Sequence, residues 1–171
     1  MDGAAYRAEL APFALAARRF LSALNSGSRT TLAELLVSLA SLYTEGLRLA
    51  GMQLRMEEDT NLDDFEVVGE RAQMQPRVQE VLRGLRNYWC YFNPGAASFG
   101  PDAGGGVGDL EDDLLDICGD LAPALRAYRS GDARLLGECH FAWRPPAGFW
   151  HWGHHATCAI SALNAVVHPT V

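Results

Sequence analysis

The chain has 171 residues, with 21 acidic and 14 basic side chains, and every basic side chain is arginine. A net charge of −7 argues against general nucleic-acid binding and against an anionic membrane surface, because both partners require a basic face. The length predicts a single domain over residues 1–171. Four scattered cysteines without CxxC spacing indicate thiols in a reducing compartment, and no signal peptide or apolar span is evident, so we expect a cytoplasmic protein.

Helical periodicity in the first fifty residues predicts two helices. The first covers residues 4–25 and ends at an Asn-Ser-Gly turn. The second begins at Thr31, where Thr31 and Glu34 fit a capping box, and it ends near Gly51. Because the connection is short, we expect the two helices to form an antiparallel hairpin.

The middle of the chain predicts a third helix and a long loop. An acidic, exposed connection over 52–65 leads to a helix that starts near Pro76 and includes Tyr88 and Trp89 in its apolar stripe. Residues 93–108 are rich in glycine and proline, and we predict a flexible loop there. This loop lacks the lysine and the preceding strand of a phosphate-binding loop. No strand with clean alternation is evident anywhere in the sequence.

The last third of the chain predicts three more helical segments. Asp109 opens a helix whose regular part we expect Pro123 to kink or end. Asp132 can cap a short helix that ends near Trp143, and the last helix spans roughly 149–167. The fold class that follows is all-α, a single-domain bundle of five to seven helices.

The acidic residues are concentrated in two regions. Six lie between Glu57 and Glu66, and seven lie between Arg86 and Arg126, where no basic residue occurs. A concentrated negative surface favours a basic protein partner, because opposite charge steers association. The carboxylates that we predict to bind such a partner are Asp102, Asp109, Asp112, Asp116, Asp120, Glu57, Glu58 and Asp59.

The helix that follows Asp109 carries a column of acids. Asp109, Asp113, Asp116 and Asp120 follow the spacing i, i+4, i+7, i+11 and lie about 90° from the apolar stripe of that helix. Like charges at this spacing destabilise a helix, so the column requires compensation by arginine, histidine, a metal or a basic partner. The Asp-Asp-x-x-Asp pattern starting at Asp112 also resembles magnesium-binding helices.

Histidines and tryptophans are concentrated near the C-terminus. His151 and His155 are i, i+4 neighbours and could bind one metal, although the glutamate of a His-Glu-x-x-His motif is absent. The structural interpretation is that Trp152 is a core residue and that a histidine pairs with an aspartate of the acidic helix. We therefore predict structural pairing among Asp113, His151, Trp152 and His155. The metal alternative uses Asp112, Asp113, Asp116, His151 and His155, with His154 as a further candidate.

Four motifs occur in order along the chain. They are Leu39-x-x-Leu42-Tyr43, Tyr88-Trp89-x-x-Phe92-Asn93-Pro94, Leu110-x-Asp112-Asp113-Leu114-x-Asp116-Ile117-x-x-Asp120-Leu121 and His151-Trp152-Gly153-x-His155-Ala156. Together they resemble a bacterial family of small all-helical proteins, the domain-of-unknown-function family numbered five thousand and sixty-three. The sequence departs from that pattern at Cys118, where an aromatic residue is usual, and at Arg144-Pro145-Pro146.

The resemblance implies an all-α fold and carries no established activity. It also implies that the acidic helix and the His-Trp-Gly helix belong together. We therefore expect Asp113 or Asp116 to contact His151, His155 or the indole of Trp152.

Three functional hypotheses follow. The first is a non-catalytic interaction module without a cofactor, for example an immunity protein that neutralises a basic toxin. The alternative is a small metal-dependent helical enzyme that uses the Asp and His ligands. The third is an oligomeric structural protein that uses exposed aromatic residues such as Phe149 and Trp150. No nucleophile elbow or cysteine-protease signature is evident, so we favour a protein that is not an enzyme.

Overall fold

Six α-helices and one short antiparallel hairpin make up the part of the chain that a computed structural model describes, residues 3–57, 59–91, 105–144 and 148–169. The elements in chain order are α1 (Gly3–Asn25), α2 (Leu32–Leu49), α3 (Glu70–Leu82), β1 (Asn87–Tyr91), β2 (Gly105–Asp109), α4 (Leu110–Ser130), α5 (Leu136–Trp143) and α6 (Gly148–Val167). The all-α, single-domain prediction is confirmed, with one small two-stranded sheet added to it.

The first two helices pack against each other and begin and end close to where their periodicity predicts. The capping box of α2 is present: the Thr31 hydroxyl accepts from the Glu34 backbone N–H, and the Glu34 carboxylate accepts from the Thr31 backbone N–H at 2.8 Å. This reciprocal pair satisfies two backbone donors that the start of a helix otherwise leaves unpaired.

Helix α4 is the central element, since it packs against α1, α3, α5 and α6. Its N-cap is Asp109, whose carboxylate accepts from the backbone N–H groups of Glu111 and Asp112. Of the two effects predicted for Pro123, a kink or an end of the regular helix, the second does not occur, because α4 continues to Ser130. Burial of the neighbouring Ala122 and Ala124 in the core offsets the single backbone hydrogen bond that a proline removes.

The third helix differs most from its prediction. It begins at Glu70, so Pro76 lies inside α3 and not in its first turn, and it ends at Leu82. The chain leaves the helix through Arg83 and Gly84, which have φ values of 53° and 89°. This left-handed backbone is typical of a helix C-terminus followed by glycine, and it separates Tyr88 and Trp89 from the helix.

Residues 87–91 form a strand, which corrects the predicted helix. In the antiparallel pair β1–β2, Tyr88 lies opposite Gly108 and Trp89 lies opposite Val107. Residues 105–108, the end of the predicted flexible loop, therefore belong to β2, and the remainder of that loop falls among residues 92–104, outside the described residues. Cross-strand hydrogen bonds between segments distant in sequence override the local helical pattern here.

All six helices contribute buried residues to one core, which contains an aromatic cluster between α1, α5 and α6. The ring of Phe13 stacks on Trp143 with centroids 4.9 Å apart and meets Trp152 edge-on at 5.7 Å. The apolar stripe predicted for α4 is buried: Leu110, Leu114, Ile117, Leu121 and Leu125. Among the described helices, none combines the length and hydropathy that crossing a bilayer requires.

Candidate metal centre

The acidic column of α4 faces the histidines of α6. The two helices pack along their length, so carboxylates spaced i, i+3, i+7 on α4 meet imidazoles spaced i, i+4 on α6. The site is built on two regular helices, which hold side chains more rigidly than loops do.

Asp113 is the buried anchor of the site, only 7% exposed. Its Oδ1 atom accepts a hydrogen bond from His155 Nδ1 at 2.6 Å, and its Oδ2 atom accepts one from the hydroxyl of Tyr88 at 2.5 Å. The hydrogen bond to Asp113 raises the pKa of His155, because it stabilises the protonated imidazole, while partial burial opposes that effect. Burial and the Asp113 carboxylate both raise the pKa of Tyr88, which keeps its hydroxyl protonated as a donor.

His151 has an equivalent partner, Asp120, which lies about two turns after Asp113 on α4. Its Nδ1 atom lies 2.6 Å from Oδ2 of Asp120. Burial raises the pKa of Asp120, and the hydrogen bond to His151 opposes that effect. Each histidine therefore uses Nδ1 on a carboxylate, which leaves Nε2 as the ring nitrogen that can bind a metal.

Asp116 lies between these two pairs. Its Oδ2 atom is 3.4 Å from Nε2 of His155, and its Oδ1 atom accepts from the guanidinium of Arg71. Asp116, His151 and His155 each offer a ligand atom, and these three atoms lie within 4.8 Å of one another. Tetrahedral zinc with bonds of about 2.1 Å sets its ligand atoms about 3.4 Å apart, so these three atoms would have to approach one another by up to about 1.4 Å to bind such an ion.

Each of the three candidate ligands has its own outer partner. Asp113 orients His155, Asp120 orients His151, and Arg71 holds one oxygen of Asp116 and leaves the other facing His155. Carboxylates that fix the tautomer of metal-bound histidines are the usual outer shell of zinc sites. Two imidazoles and one carboxylate suit zinc or another transition metal better than magnesium or calcium, which prefer oxygen ligands.

Only some of the residues that the sequence predicted as alternative metal ligands lie close together in the structure. Asp116, His151 and His155 come together, and Asp113 supports His155 from behind. Asp112 turns to Arg71 on the exposed side of α4. His154 is exposed, with its Nε2 atom 4.0 Å from the sulfur of Cys158.

Of the residues predicted to pair structurally, Trp152 occupies a different place. It lies fully buried in the aromatic core, whereas Asp113, His151 and His155 form the Asp–His pairs between α4 and α6.

The acids of α4 that were predicted to bind a partner already have partners within the chain. Asp109 pairs with Arg86 at 2.9 Å, and Arg71 bridges Asp112 and Asp116. The arginines that compensate the acidic column thus come from α3 and from the turn before β1. Asp120 pairs with His151.

The other predicted partner-binding acids lie outside α4. Glu57 and Asp59 are exposed in the connection before α3, and neither is in an ion pair with another described residue. Asp102 and Glu58 lie outside the described residues.

Two residues of the site were missed from the sequence. Tyr88 was placed in a helical core stripe, although its run of aromatic residues after Gly84 is typical of a strand. Arg71 had no sequence signal, because its carboxylate partners lie 41 and 45 positions away on another helix.

Comparison with known proteins identifies a family for the chain and a solved structure with a similar fold. Residues 4–169 match the model of a family described as "Domain of unknown function (DUF5063)". The fold is similar to the crystal structure of protein BF1032 from Bacteroides fragilis, with a TM-score of 0.68 and 15% sequence identity over 95% of this chain and 94% of that one. A likeness at this level of identity shows a shared fold alone. No protein with a curated description matches the chain significantly.

Proposed function

The chain belongs to the DUF5063 family, as its His-Trp-Gly and Leu-x-Asp-Asp motifs predict, and we propose that it is a small metal-dependent protein with a transition-metal site formed by Asp116, His151 and His155. Three protein ligands leave at least one coordination position for water or a substrate atom, which is the arrangement of catalytic sites. A metal there would supply Lewis-acid activation of a bound oxygen.

The observation that carries this proposal is the direction of the histidines. A histidine that only neutralises an acidic column can use either ring nitrogen. Here both imidazoles give Nδ1 to a dedicated carboxylate, at 2.6 Å in each case, and Nε2 of His155 faces a third carboxylate at 3.4 Å. This is the preorganisation that a metal site needs before the metal arrives.

The competing interpretation is a purely structural ion pair. A protonated His155 between Asp113 and Asp116 would neutralise both carboxylates without a metal. The two interpretations differ in the role of His151. It is exposed, so its pair with Asp120 adds little stability, whereas its loss would remove one of three metal ligands.

Metal titration separates these interpretations. Calorimetry with Zn²⁺ and absorption spectra with Co²⁺ should show one site per chain with a tetrahedral or five-coordinate signature. His151→Ala, His155→Ala and Asp116→Ala should each weaken binding by more than the roughly 10–100-fold that losing an outer partner costs.

His154→Ala is the matched control. This variant removes an exposed imidazole that meets the His155 ring edge-on at 5.9 Å but is not one of the three candidate ligands, so it should bind metal as the parent does. The absence of a stoichiometric site in the parent protein, or equal loss in the control, would rule the metal site out.

A second function rests on a different observation, the acidic connection between α2 and α3. Asp59, Asp63, Asp64 and Glu66 are exposed and form no ion pair among the described residues, and Val68 beside them is 98% exposed. Exposed carboxylates next to an exposed aliphatic side chain suit a basic partner protein, for example a toxin that an immunity protein neutralises. Of the two acidic regions, this one keeps its charge available, since the acids of α4 are engaged within the chain.

Charge reversal tests this second function. Changing Asp63 and Asp64 to arginine should lower the association rate with a basic partner encoded next to this chain, and the effect should shrink at high salt. Reversal of Glu45, which already pairs with Arg48 on α2, is the control. Equal effects of the two reversals would refute a specific role for the connection.

A further inference from the structure

The β1–β2 hairpin carries one aromatic side chain into the helical body and leaves its neighbour in solvent. Tyr88 reaches Asp113, while Trp89 and Val107, opposite each other on the other face, are 67% and 64% exposed. A two-stranded hairpin is marginally stable by itself, so its position depends on what it contacts. The inward face of this hairpin ends at the candidate metal centre.

We propose that the hairpin is part of the metal centre and that Tyr88 is a positioning residue, which holds Asp113, and through it His155, in the geometry that the metal requires. This inference rests on the proposed metal function and extends it to residues outside α4 and α6.

Both carboxylate oxygens of Asp113 accept a hydrogen bond from a side chain of another element. Its two oxygens have one strong donor each, the Tyr88 hydroxyl and the Nδ1–H group of His155, and the carboxylate is buried. Loss of the hydroxyl would leave a buried oxygen without a donor, and the carboxylate would turn toward another one. The ring of His155 would then lose the fixed partner that aims its Nε2 atom toward Asp116.

Gly108 provides the space through which the Tyr88 side chain passes. A Cβ atom at Gly108 would lie 2.3 Å from Cζ and 2.6 Å from the hydroxyl of Tyr88. The Tyr88 ring thus lies across the backbone of β2, and only glycine at the opposite position permits this path. The sequence of β2 is therefore adapted to the direction of one side chain on β1.

The coupling between the position of Tyr88 and metal binding acts in both directions. If Tyr88 favours the metal-binding geometry of His155, then metal binding must favour the docked position of Tyr88 by the same factor. The hairpin should consequently become more ordered when the metal binds. Trp89, adjacent on the outward face, is a built-in fluorescent reporter of that change.

The test compares two tyrosine variants. Tyr88→Phe should weaken binding of Zn²⁺ and Co²⁺ by about 10–100-fold, the range expected for an outer partner of a ligand. Tyr128→Phe is the matched control, because its hydroxyl donates to the Arg7 carbonyl on another face of the protein. The control should change metal affinity less than about 2-fold, within the usual additivity error for distant sites.

A second readout does not require a metal. In the metal-free protein at alkaline pH, nitrogen NMR should show His155 with its proton on Nδ1, and Tyr88→Phe should shift the tautomer population toward Nε2–H. A merely structural role for Tyr88 would change thermal stability but not this ratio. An unchanged tautomer ratio would overturn the inference.

Glycine substitution supplies an independent variant. Gly108→Ala should reproduce the loss of metal affinity with the Tyr88 hydroxyl still present, whereas Val107→Ala, in the same strand but exposed, should not. Metal binding by the parent with unchanged affinity in Tyr88→Phe and Gly108→Ala would refute the positioning role alone. The absence of metal binding by the parent would instead refute the proposed function, and the tautomer ratio would still decide the role of Tyr88.

Discussion

Among the described residues, the buried polar side chains of Thr30, Glu111, Asp113 and His140 each have a hydrogen-bond partner, whereas the buried indole nitrogen of Trp143 has none. The carboxylate of Glu111 accepts from the amides of Gln75 and Gln79, and Asp113 is saturated as described. His140 is fully buried, with the Tyr6 hydroxyl 2.6 Å from Nδ1 and the Leu49 carbonyl 3.3 Å from Nε2. A carbonyl only accepts, so Nε2 carries the proton and Nδ1 accepts from Tyr6, which makes His140 neutral.

At the residue scale, His140 predicts a pH dependence of stability. Burial lowers its pKa, so the folded protein binds this proton less tightly than the unfolded chain does. The stability that depends on neutral His140 is fully present above the unfolded pKa of about 6.5 and is lost as the pH falls through the lower folded value. The free energy of unfolding of the parent should therefore decline toward pH 5 more steeply than that of His140→Gln, which cannot titrate. Urea unfolding at several pH values checks this, and parallel pH profiles would contradict it.

At the scale of elements, close backbone approach decides how α5 packs. Helix α5 lies against the segment after α2, where a Cβ atom on Gly137 would be 1.8 Å from the backbone oxygen of Arg55. The oxygen belongs to the main chain, so relief requires movement of a whole segment and not of one side-chain rotamer. Gly137 is thus a packing residue, unlike the exposed Gly119 in α4, around which there is open space.

Replacing each of these two glycines by alanine should change the free energy of unfolding in opposite directions. Gly137→Ala should lower the free energy of unfolding by about 3 kcal/mol, the upper end of the usual overpacking cost. Gly119→Ala should raise it by about 0.5–1 kcal/mol, because alanine favours a helix interior where nothing obstructs the methyl group. Chemical denaturation of both variants measures these changes in the free energy of unfolding. A lower value for Gly119→Ala than for the parent would contradict the expectation that alanine stabilises this part of α4.

At the scale of the whole molecule, the ion pairs of α4 and the proposed metal ligands lie at the contacts of α4 with its neighbouring helices. The pairs Arg71–Asp112, Arg71–Asp116 and Arg126–Glu70 join α3 to α4, and the Asp–His pairs join α4 to α6. The acidic side chains of α4 therefore connect α4 to α3 and to α6. Among the described residues, the carboxylates that contribute to the net charge of −7 without an ion-pair partner lie mainly outside α4. A ligand at the Asp–His cluster would add to the contact between α4 and α6.

Zinc should consequently stabilise the entire fold. At 100 times the dissociation constant, binding to the folded state alone contributes about 2.7 kcal/mol. For a domain of this size, this corresponds to an increase in Tm of about 5–10 °C. Scanning calorimetry with and without Zn²⁺ measures it, with Asp116→Ala expected to lose the shift and His154→Ala to keep it. A shift that persists in Asp116→Ala would indicate binding elsewhere.

The sequence by itself determined the helices that have strong local patterns. The boundaries of α1, α2 and α6 and the capping of α2 and α4 follow from 3.6-residue periodicity and side-chain caps, each of which depends on neighbours within a few residues. The family resemblance added the expectation that Asp113 or Asp116 contacts His151, His155 or Trp152, and the structure shows which pair forms, Asp113 with His155.

Only the tertiary structure decided the hairpin, the route of Tyr88 to Asp113 and the pairing of Arg71 with the acids of α4. Strand pairs and ion pairs between elements join residues that are far apart in sequence, and such pairs produce no periodic pattern along the chain. A local pattern therefore cannot show whether a segment pairs as a strand or forms a helix. The same reason explains the acidic column. Its spacing showed that compensation was needed, but whether it came from arginine, histidine or a partner depended on which elements pack against α4.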